Sequence, residues 1–519
     1  MTASTSATAP VTYPDKIDAA VLKIAGVVVL GAIMSILDIT VVNVALPTFQ
    51  QVFASDPTKP LAYSTVAWTV TAYTLALATV IPLTGWAADR FGTKRLYMLA
   101  IVLFTAGSAL CSSATSINML ISFRVLQGLG GGMLMPLGMT IMTRAAGPAR
   151  MGRLMAILGV PMLLGPIGGP ILGGWLIEHY SWHWIFLINV PLGVIAVTYA
   201  FFALPRDHTE PSESLDLLGV ALMSPGLAFF LFGISSIPEK GTMNTPKVYV
   251  SMLIGLVLMV TFVFHSFRPQ HPLLDLRLFR NRNLTVSVLT MFLFAAAFFG
   301  GLLLVPTYFQ EVRGESTLNA GLLVAPQGLG AMLTMPIAGA LVDRIPVGRI
   351  VPFGLVLISG GMFSLTRLTS TTSYSTIIVI LFIMGLGMGG TMMPIFTTAL
   401  KTLTSHEVAR GSTLLNITQQ IASSVGVAVM SVLLTNHFKE SKLALPAIGT
   451  HHVPAAIAKM GGSTVFNQGL ADAAGAFAKT YWVAATLVLL TLVPALFLPR
   501  RREVTHLLDD QVAAPVVVH

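Results

Sequence analysis

From Val21 onward, apolar runs of about 18 residues or more alternate with short breaks rich in charge, glycine or proline. At about 1.5 Å per residue, a helical run of that length crosses roughly 30 Å of hydrocarbon. Cutting at the breaks predicts helices near 21–46, 64–88, 96–113, 118–142, 153–177, 183–203, 217–237, 248–267, 284–309, 317–341, 350–367, 374–400, 411–436 and 480–498. The pattern predicts an all-α polytopic membrane protein of fourteen transmembrane helices, with a long extracytoplasmic loop at 437–479 before the last one.

Composition excludes a soluble fold. Hydrophobic residues make up 54% of the 519 positions and charged ones 10%, against about a quarter charged in soluble domains. The first twenty residues carry Asp15, Lys16 and Asp18 but no clear cleavage site, so residues 1–20 are expected to be a tail and the first span to be retained. A single cysteine, Cys111, rules out an intrachain disulfide.

The net charge of +9 reads as a positive-inside bias, with no nucleic-acid partner implied. With the N-terminus cytoplasmic, 20 of 30 basic residues fall in inside loops and tails, nine fall outside, and Arg124 lies within the membrane. An even number of spans then places the 499–519 tail on the same side, in the cytoplasmic membrane of the cell.

Two stretches repeat. "GWAADRFGTKR" (85–95) and "GALVDRIPVGR" (339–349) follow spans 2 and 10, and "QGLGGGMLMP" (127–136) in span 4 matches "MGLGMGGTMMP" (384–394) in span 12. The chain therefore divides into a six-helix bundle at 21–205, two inserted helices at 206–270, and a second six-helix bundle at 284–498. Parallel six-helix halves in one chain are a transporter architecture, with substrate held near the midplane between the halves.

Inside this pattern Asp38 stands out, because a charged acid near the middle of a membrane helix costs about 2.5–3.5 kcal/mol on insertion scales. Such residues face a bundle interior or a wet cavity. Arg124 falls at a similar depth on span 4, whereas Leu381 takes the equivalent place in the second half. A guanidinium nearby favours an ionised acid and loss of water favours a neutral one, so a change of access decides which form wins. That combination suits a proton site at Asp38; Arg124 stays charged and cannot itself carry the proton. In span 5, Gly165, Gly169 and Gly173 form a smooth stripe, and Pro166 and Pro170 each remove a backbone donor.

The layout, together with "LDITVVNVALP" (37–47), "GWAADRFGTKR", "RVLQGLGGG" (124–132), "GPIGGPILGGW" (165–175) and "WIFLINVPLG" (184–193), resembles the fourteen-helix drug:proton antiporters of the major facilitator superfamily. The second loop copy lacks the Lys-Arg pair, and His183 stands where relatives commonly carry arginine. The resemblance implies a multidrug efflux antiporter that uses the proton gradient and no cofactor. It makes Arg124 the coupling partner of Asp38.

It also implies a conformational latch at Gly85, Asp89, Arg90, Gly92, Asp343 and Arg344, and an export-type span 5 whose Gly165, Pro166, Gly169 and Gly173 help seal against the opposite half. Asn43, Tyr73, Gln127, Asn189, Gln310, Asn416, Gln419 and Gln420 are the candidates to face substrate. The expected partners are hydrophobic or amphipathic small molecules, protons and membrane lipids, with the chain a monomer. A lipid transporter on the same fold and a ligand sensor without turnover stay open as alternatives. No nucleotide-binding loop or hydrolase acid pair is present, and the adjacent His451 and His452 are too few for a metal site.

Overall fold

Local chemistry sets where each apolar run starts and stops. The computed structural model describes residues 17–54, 61, 63–146, 150–205, 214–237, 245–404, 407–449, 457 and 462–501; His451, His452 and the side chains of Pro166 and Pro170 lie outside that set. The first half comprises α1 (Ala19–Val52), α2 (Tyr63–Phe91), α3 (Thr93–Ser112), α4 (Ile117–Ala146), α5 (Met151–His179), α6 (Trp184–Leu187) and α7 (Asn189–Ala203). An inserted hairpin, α8 (Leu217–Ser235) and α9 (Pro246–Ser266), follows.

The second half comprises α10 (Arg282–Glu311), α11 (Thr317–Val342), α12 (Val347–Leu365), α13 (Tyr374–Gly389), α14 (Met392–Lys401), α15 (Glu407–Glu440), α16 (Ala444–Gly449) and α17 (Ser463–Ala495). Among the described residues, 13 stretches are long and apolar enough to cross a membrane, with α6–α7 and α13–α14 each counting as one. The 29-residue α5 completes the expected fourteen. The protein is a multi-pass helical membrane protein.

Two spans expected to be continuous are broken, and proline explains both. Pro191 lacks the N–H that would bond the Leu187 carbonyl, so α6 ends and α7 restarts at Asn189. Pro394 does the same after Gly389 and Gly390, where the chain tightens through a Thr391 N–H bond to the Met388 carbonyl at 3.0 Å.

Within the connection expected at 437–479, most of the described residues are helical. α15 runs to Glu440 and α17 begins at Ser463. Residues 463–479 are too polar to read as a span, yet they remain helical against α15. Ser441 Oγ donates to Asp472 at 2.6 Å, Lys479 Nζ pairs with Glu440 at 2.5 Å, and His437 Nδ1 lies 3.0 Å from Thr480 Oγ1.

The inserted hairpin packs on α2 and more lightly on α15, so it touches both halves. Asp216 pins its base. Burial would push this carboxyl up, but His265 at 2.8 Å and the N–H groups of Gly219 and Leu273 outweigh burial and hold it below the usual carboxylate range.

At the end of the bundle where α2 and α11 finish, the two halves are latched by pseudo-equivalent contacts. Asp89 pairs with Arg144 at 3.4 Å within its own half and with Arg410, at the start of α15, at 3.9 Å across the interface. Asp343 accepts from the Gly152 N–H at 2.9 Å and from Arg153 Nε at 3.1 Å, both at the start of α5. Gly85 and its repeat partner Gly339 let these crossings close up: a Cβ on Gly85 would lie 3.4 Å from the Ala409 carbonyl, and one on Gly339 would lie 2.6 Å from the Gly152 carbonyl. Between them, Ser412 on α15 meets Thr140 on α4 at 2.9 Å.

Within each loop motif the aspartate does not pair with the arginine beside it. Arg90 and the exposed Arg344 make no ion pair among the described residues: Asp89 and Arg90 are successive on α2 and point to different faces, and Asp343 and Arg344 lie in the turn after α11. Gly92 serves the turn itself, with φ at 91°, a left-handed conformation that a side chain would strain. Burial pushes the Asp343 carboxyl up, with the Gly152 N–H and Arg153 opposing it.

The glycine stripe of α5 faces α1 in its own half, not the opposite half. A Cβ on Gly165 would lie 2.1 Å from Ile36 Cγ2 and one on Gly169 would lie 2.0 Å from Thr40 Oγ1. Gly173 lies beside Val41 in the same way, and Thr40 Oγ1 donates to the Gly165 carbonyl at 3.0 Å. Contact with the second half falls to another α5 glycine, Gly159, which sits against Met335 and Met393.

Two outcomes test this packing. Gly169→Val should overpack the α1–α5 contact by about 1–3 kcal/mol and lower the thermal midpoint of the solubilised protein by several degrees. Gly174→Ala, with nothing within 4 Å of its Cβ position, should leave the midpoint unchanged. For the latch, a cysteine replacing the buried Ala409 should label slowly with a maleimide, the natural Cys111 being buried. Adding Asp89→Asn and Asp343→Asn should raise that rate roughly fivefold or more, the equivalent of ~1 kcal/mol. Equal rates would show that the aspartates do not hold this end shut.

Candidate functional site

Five helical segments of the first half converge on Asp38. It lies on the inward face of α1, two residues before the Thr40 that ties α1 to α5, and is 2% exposed. Arg124, on α4, is 0% exposed although it is among the largest side chains of the chain. Its Nη1 donates to Asp38 Oδ2 and, at 2.8 Å, to Gln127 Oε1; its Nε donates to the Thr69 carbonyl of α2 at 2.9 Å. The guanidinium carbon lies 4.0 Å from the centre of the Tyr73 ring, adding a cation–π contact.

The second carboxylate oxygen is also satisfied. Asp38 Oδ1 accepts from Gln127 Nε2 at 2.8 Å and from Asn189 Nδ2 at 3.4 Å. Both amides also donate to Ser108 Oγ on α3 at 3.1 Å, and that hydroxyl donates to the Phe186 carbonyl of α6 at 3.0 Å. The break at Pro191 matters here, because it starts α7 at Asn189 and brings that amide to the acid. Cys111 packs against the Gln127 amide, its Sγ 3.6 Å from Oε1.

A charge pair this deep is held only when its remaining lone pairs and protons find partners, and removing one member of such a pair costs about 3–5 kcal/mol. Here both carboxylate oxygens are bonded, and one guanidinium nitrogen, Nη2, has no acceptor. In chemical terms the site is a buried carboxylate whose charge is balanced by a cation that cannot titrate. Asp38 and Arg124, which the sequence sets at a similar depth, are in contact. The second half has no counterpart: Leu381 is fully buried and apolar.

The residues expected to face substrate fall in different settings. Tyr73 and Gln127 are both 0% exposed and belong to the network around the acid, as does Asn189. Asn416 is nearly buried near the latch, donating to the Ser412 carbonyl at 2.7 Å and contacting Met139 Sδ of the other half at 3.4 Å. Gln310 is half-buried and turns back to the Pro306 carbonyl, Gln419 and Gln420 are half-buried on α15, and Asn43 is exposed on α1. Ser108 and the Thr69 carbonyl are absent from the sequence-based set. A serine in an apolar run was their only signal, and a backbone carbonyl leaves none.

Among the described residues, no group of three or more His, Cys, Asp or Glu is placed to hold a metal ion.

Comparison with known proteins agrees with this architecture. The sequence model of the Major Facilitator Superfamily matches residues 28–427. The chain is 47% identical over 506 residues to the "Multidrug resistance protein B homolog" of Mycobacterium tuberculosis (strain H37Rv), covering 94% of this chain and 92% of that one. It is 30% identical over 409 residues to the "Multidrug export protein EmrB" of Escherichia coli (strain K12), covering 78% and 79%. Among solved structures, the human organic anion transporter MFSD10 superposes with a TM-score of 0.60 at 16% identity, covering 92% of this chain and all of that one. The proton:xylose symporter XylE superposes with a TM-score of 0.56 at 14% identity, over 95% of this chain and 98% of that one, a likeness of fold alone. With the loop repeat, the paired halves and a family match across most of its length, the chain belongs to the Major Facilitator Superfamily of membrane transporters.

Proposed function

We propose that this protein exports hydrophobic or amphipathic small molecules, drugs and dyes among them, across the cytoplasmic membrane in exchange for protons. Both tails and the latch face the cytoplasm in this reading. The observation that carries it is the buried Asp38–Arg124 pair, the one place where the described structure holds a titratable acid within the membrane against a fixed cation. Relatives named for multidrug resistance and export supply the substrate class.

The physical cycle runs through the contacts described above. With Asp38 ionised, α1 and α4 are tied by the ion pair. Protonation removes that attraction, while Arg124 keeps the Thr69 carbonyl, Gln127 and the Tyr73 ring. α1 is then free to shift relative to α4, and it carries α5 with it through the Thr40–Gly165 bond and the glycine stripe. The start of α5 holds Asp343 of the other half, so a shift of α5 loads or releases the latch. Alternating access then consists of rocking of the two halves, with the latch closed in the state described here. Each proton entering down a membrane potential supplies about 2.3 kcal/mol per 100 mV.

The test is transport into inside-out vesicles. Asp38→Asn should reduce proton-gradient-driven uptake of a fluorescent dye at least tenfold, whereas Asp38→Glu should keep a measurable fraction. Expression and thermal midpoint, measured in parallel, separate lost coupling from misfolding. Gradient-driven uptake unchanged in a well-folded Asp38→Asn protein would refute the assignment of the proton site.

A further inference from the structure

At the latch end, away from Asp38 and from the interface between the halves, the start of α10 and the end of α17 border an open cavity of about 560 Å³. Its polar lining is Arg282, Asn283, Arg500 and Arg501, with no acidic residue among the described residues that border it. Among the described residues, the side chains of these three arginines make no hydrogen bond or ion pair. Elsewhere at this end the arginines that bridge the halves are neutralised, as Arg153 is by Asp343 and Arg410 by Asp89. Three uncompensated guanidinium groups around one hollow form an anion site, since the planar fork of arginine matches phosphate oxygens two at a time.

The apolar part of the lining identifies the kind of anion. Leu496 and Phe497 border the cavity and are more than half exposed. They continue an exposed apolar strip along α17 through Val493, Leu490 and Leu489. Steps of three and four residues keep that strip on one helix face. In a membrane-spanning helix such a face meets hydrocarbon, so the cavity lies at the level where headgroups meet acyl chains. A free anion gains nothing from the strip, but an amphiphile with a phosphate head fills both parts.

The floor of the cavity is fixed. The Pro499 carbonyl accepts from the Gly348 N–H at 3.0 Å, and a Cβ on Gly348 would fall 2.6 Å from the Leu498 carbonyl. The backbone between Leu498 and Arg500 is thereby seated on the start of α12. Asn281 caps α10 through the N–H groups of Asn283 and Leu284, which sets Arg282 on the first turn.

We propose that this cavity binds the phosphate headgroup of an anionic phospholipid, whose acyl chains lie along the exposed face of α17. The site is independent of the proton site and of the export reading, and its occupancy can be measured without transport. Native mass spectrometry of the full chain, exchanged from micelles containing phosphatidylglycerol or phosphatidylcholine, counts the retained lipids. The triple variant Arg282→Gln, Arg500→Gln, Arg501→Gln should lose one phosphatidylglycerol, with apparent affinity falling roughly 100-fold, about fivefold for each arginine near the surface. Arg268→Gln, an exposed charge at the same end but outside the cavity, should change nothing.

An unchanged thermal midpoint of the triple variant in phosphatidylcholine excludes misfolding. If that variant does not fold, each single substitution should give its own fivefold step. Equal phosphatidylglycerol retention by wild type and variant would overturn the proposal. So would displacement of the lipid by equimolar inorganic phosphate, which would mark a free-anion site. Increased retention on truncation after Arg501 would overturn it as well, by showing that the remaining C-terminal segment is the occupant.

Discussion

The ion pair between Asp38 and Arg124 is the interaction on which the first half is built. Neither charge is tolerable alone in a hydrocarbon-embedded bundle, and the pair is tolerable only because α2, α3, α6 and α7 supply the remaining partners. Ser108, Gln127 and Asn189 are therefore constrained together, since each amide bonds both the acid and the serine. The second half, without a buried charge at Leu381, needs no such shell and packs as an apolar bundle.

That asymmetry sits inside a symmetric frame. Each half offers an aspartate at the end of one helix to the start of a helix in the other half, and each crossing is made close by a glycine one turn earlier. The symmetric latch and the asymmetric charge site are joined by α5. Its first residues hold Asp343, and its glycine stripe holds the segment of α1 that carries the acid. A single helix thus touches the titratable group's own helix and the contact between the halves.

Much of this was legible without coordinates because bilayers impose strict rules. Span length, the repeated loops and the depth of two isolated charges all derive from the cost of exposing polar groups to lipid. Residue-level roles were less legible. Tyr73 and Gln127 read as substrate contacts, since a polar residue on an inward face can point either to a cavity or to the neighbouring helix, and periodicity does not distinguish the two. The loop motifs name Asp89 and Asp343 but not the residues they meet, because those partners lie on other helices.

The sequence by itself determined the all-helical transporter fold and set Asp38 and Arg124 as isolated charges inside apolar runs, because hydrophobic length and the cost of buried charge act locally and leave few alternatives. Only the tertiary structure decided that the glycine stripe faces α1, that the latch aspartates reach across to α5 and α15, and that three arginines gather around one hollow beside α17. Those outcomes depend on which helix face meets which neighbour. That choice is made by packing among all the helices together, and no single stretch of chain encodes it.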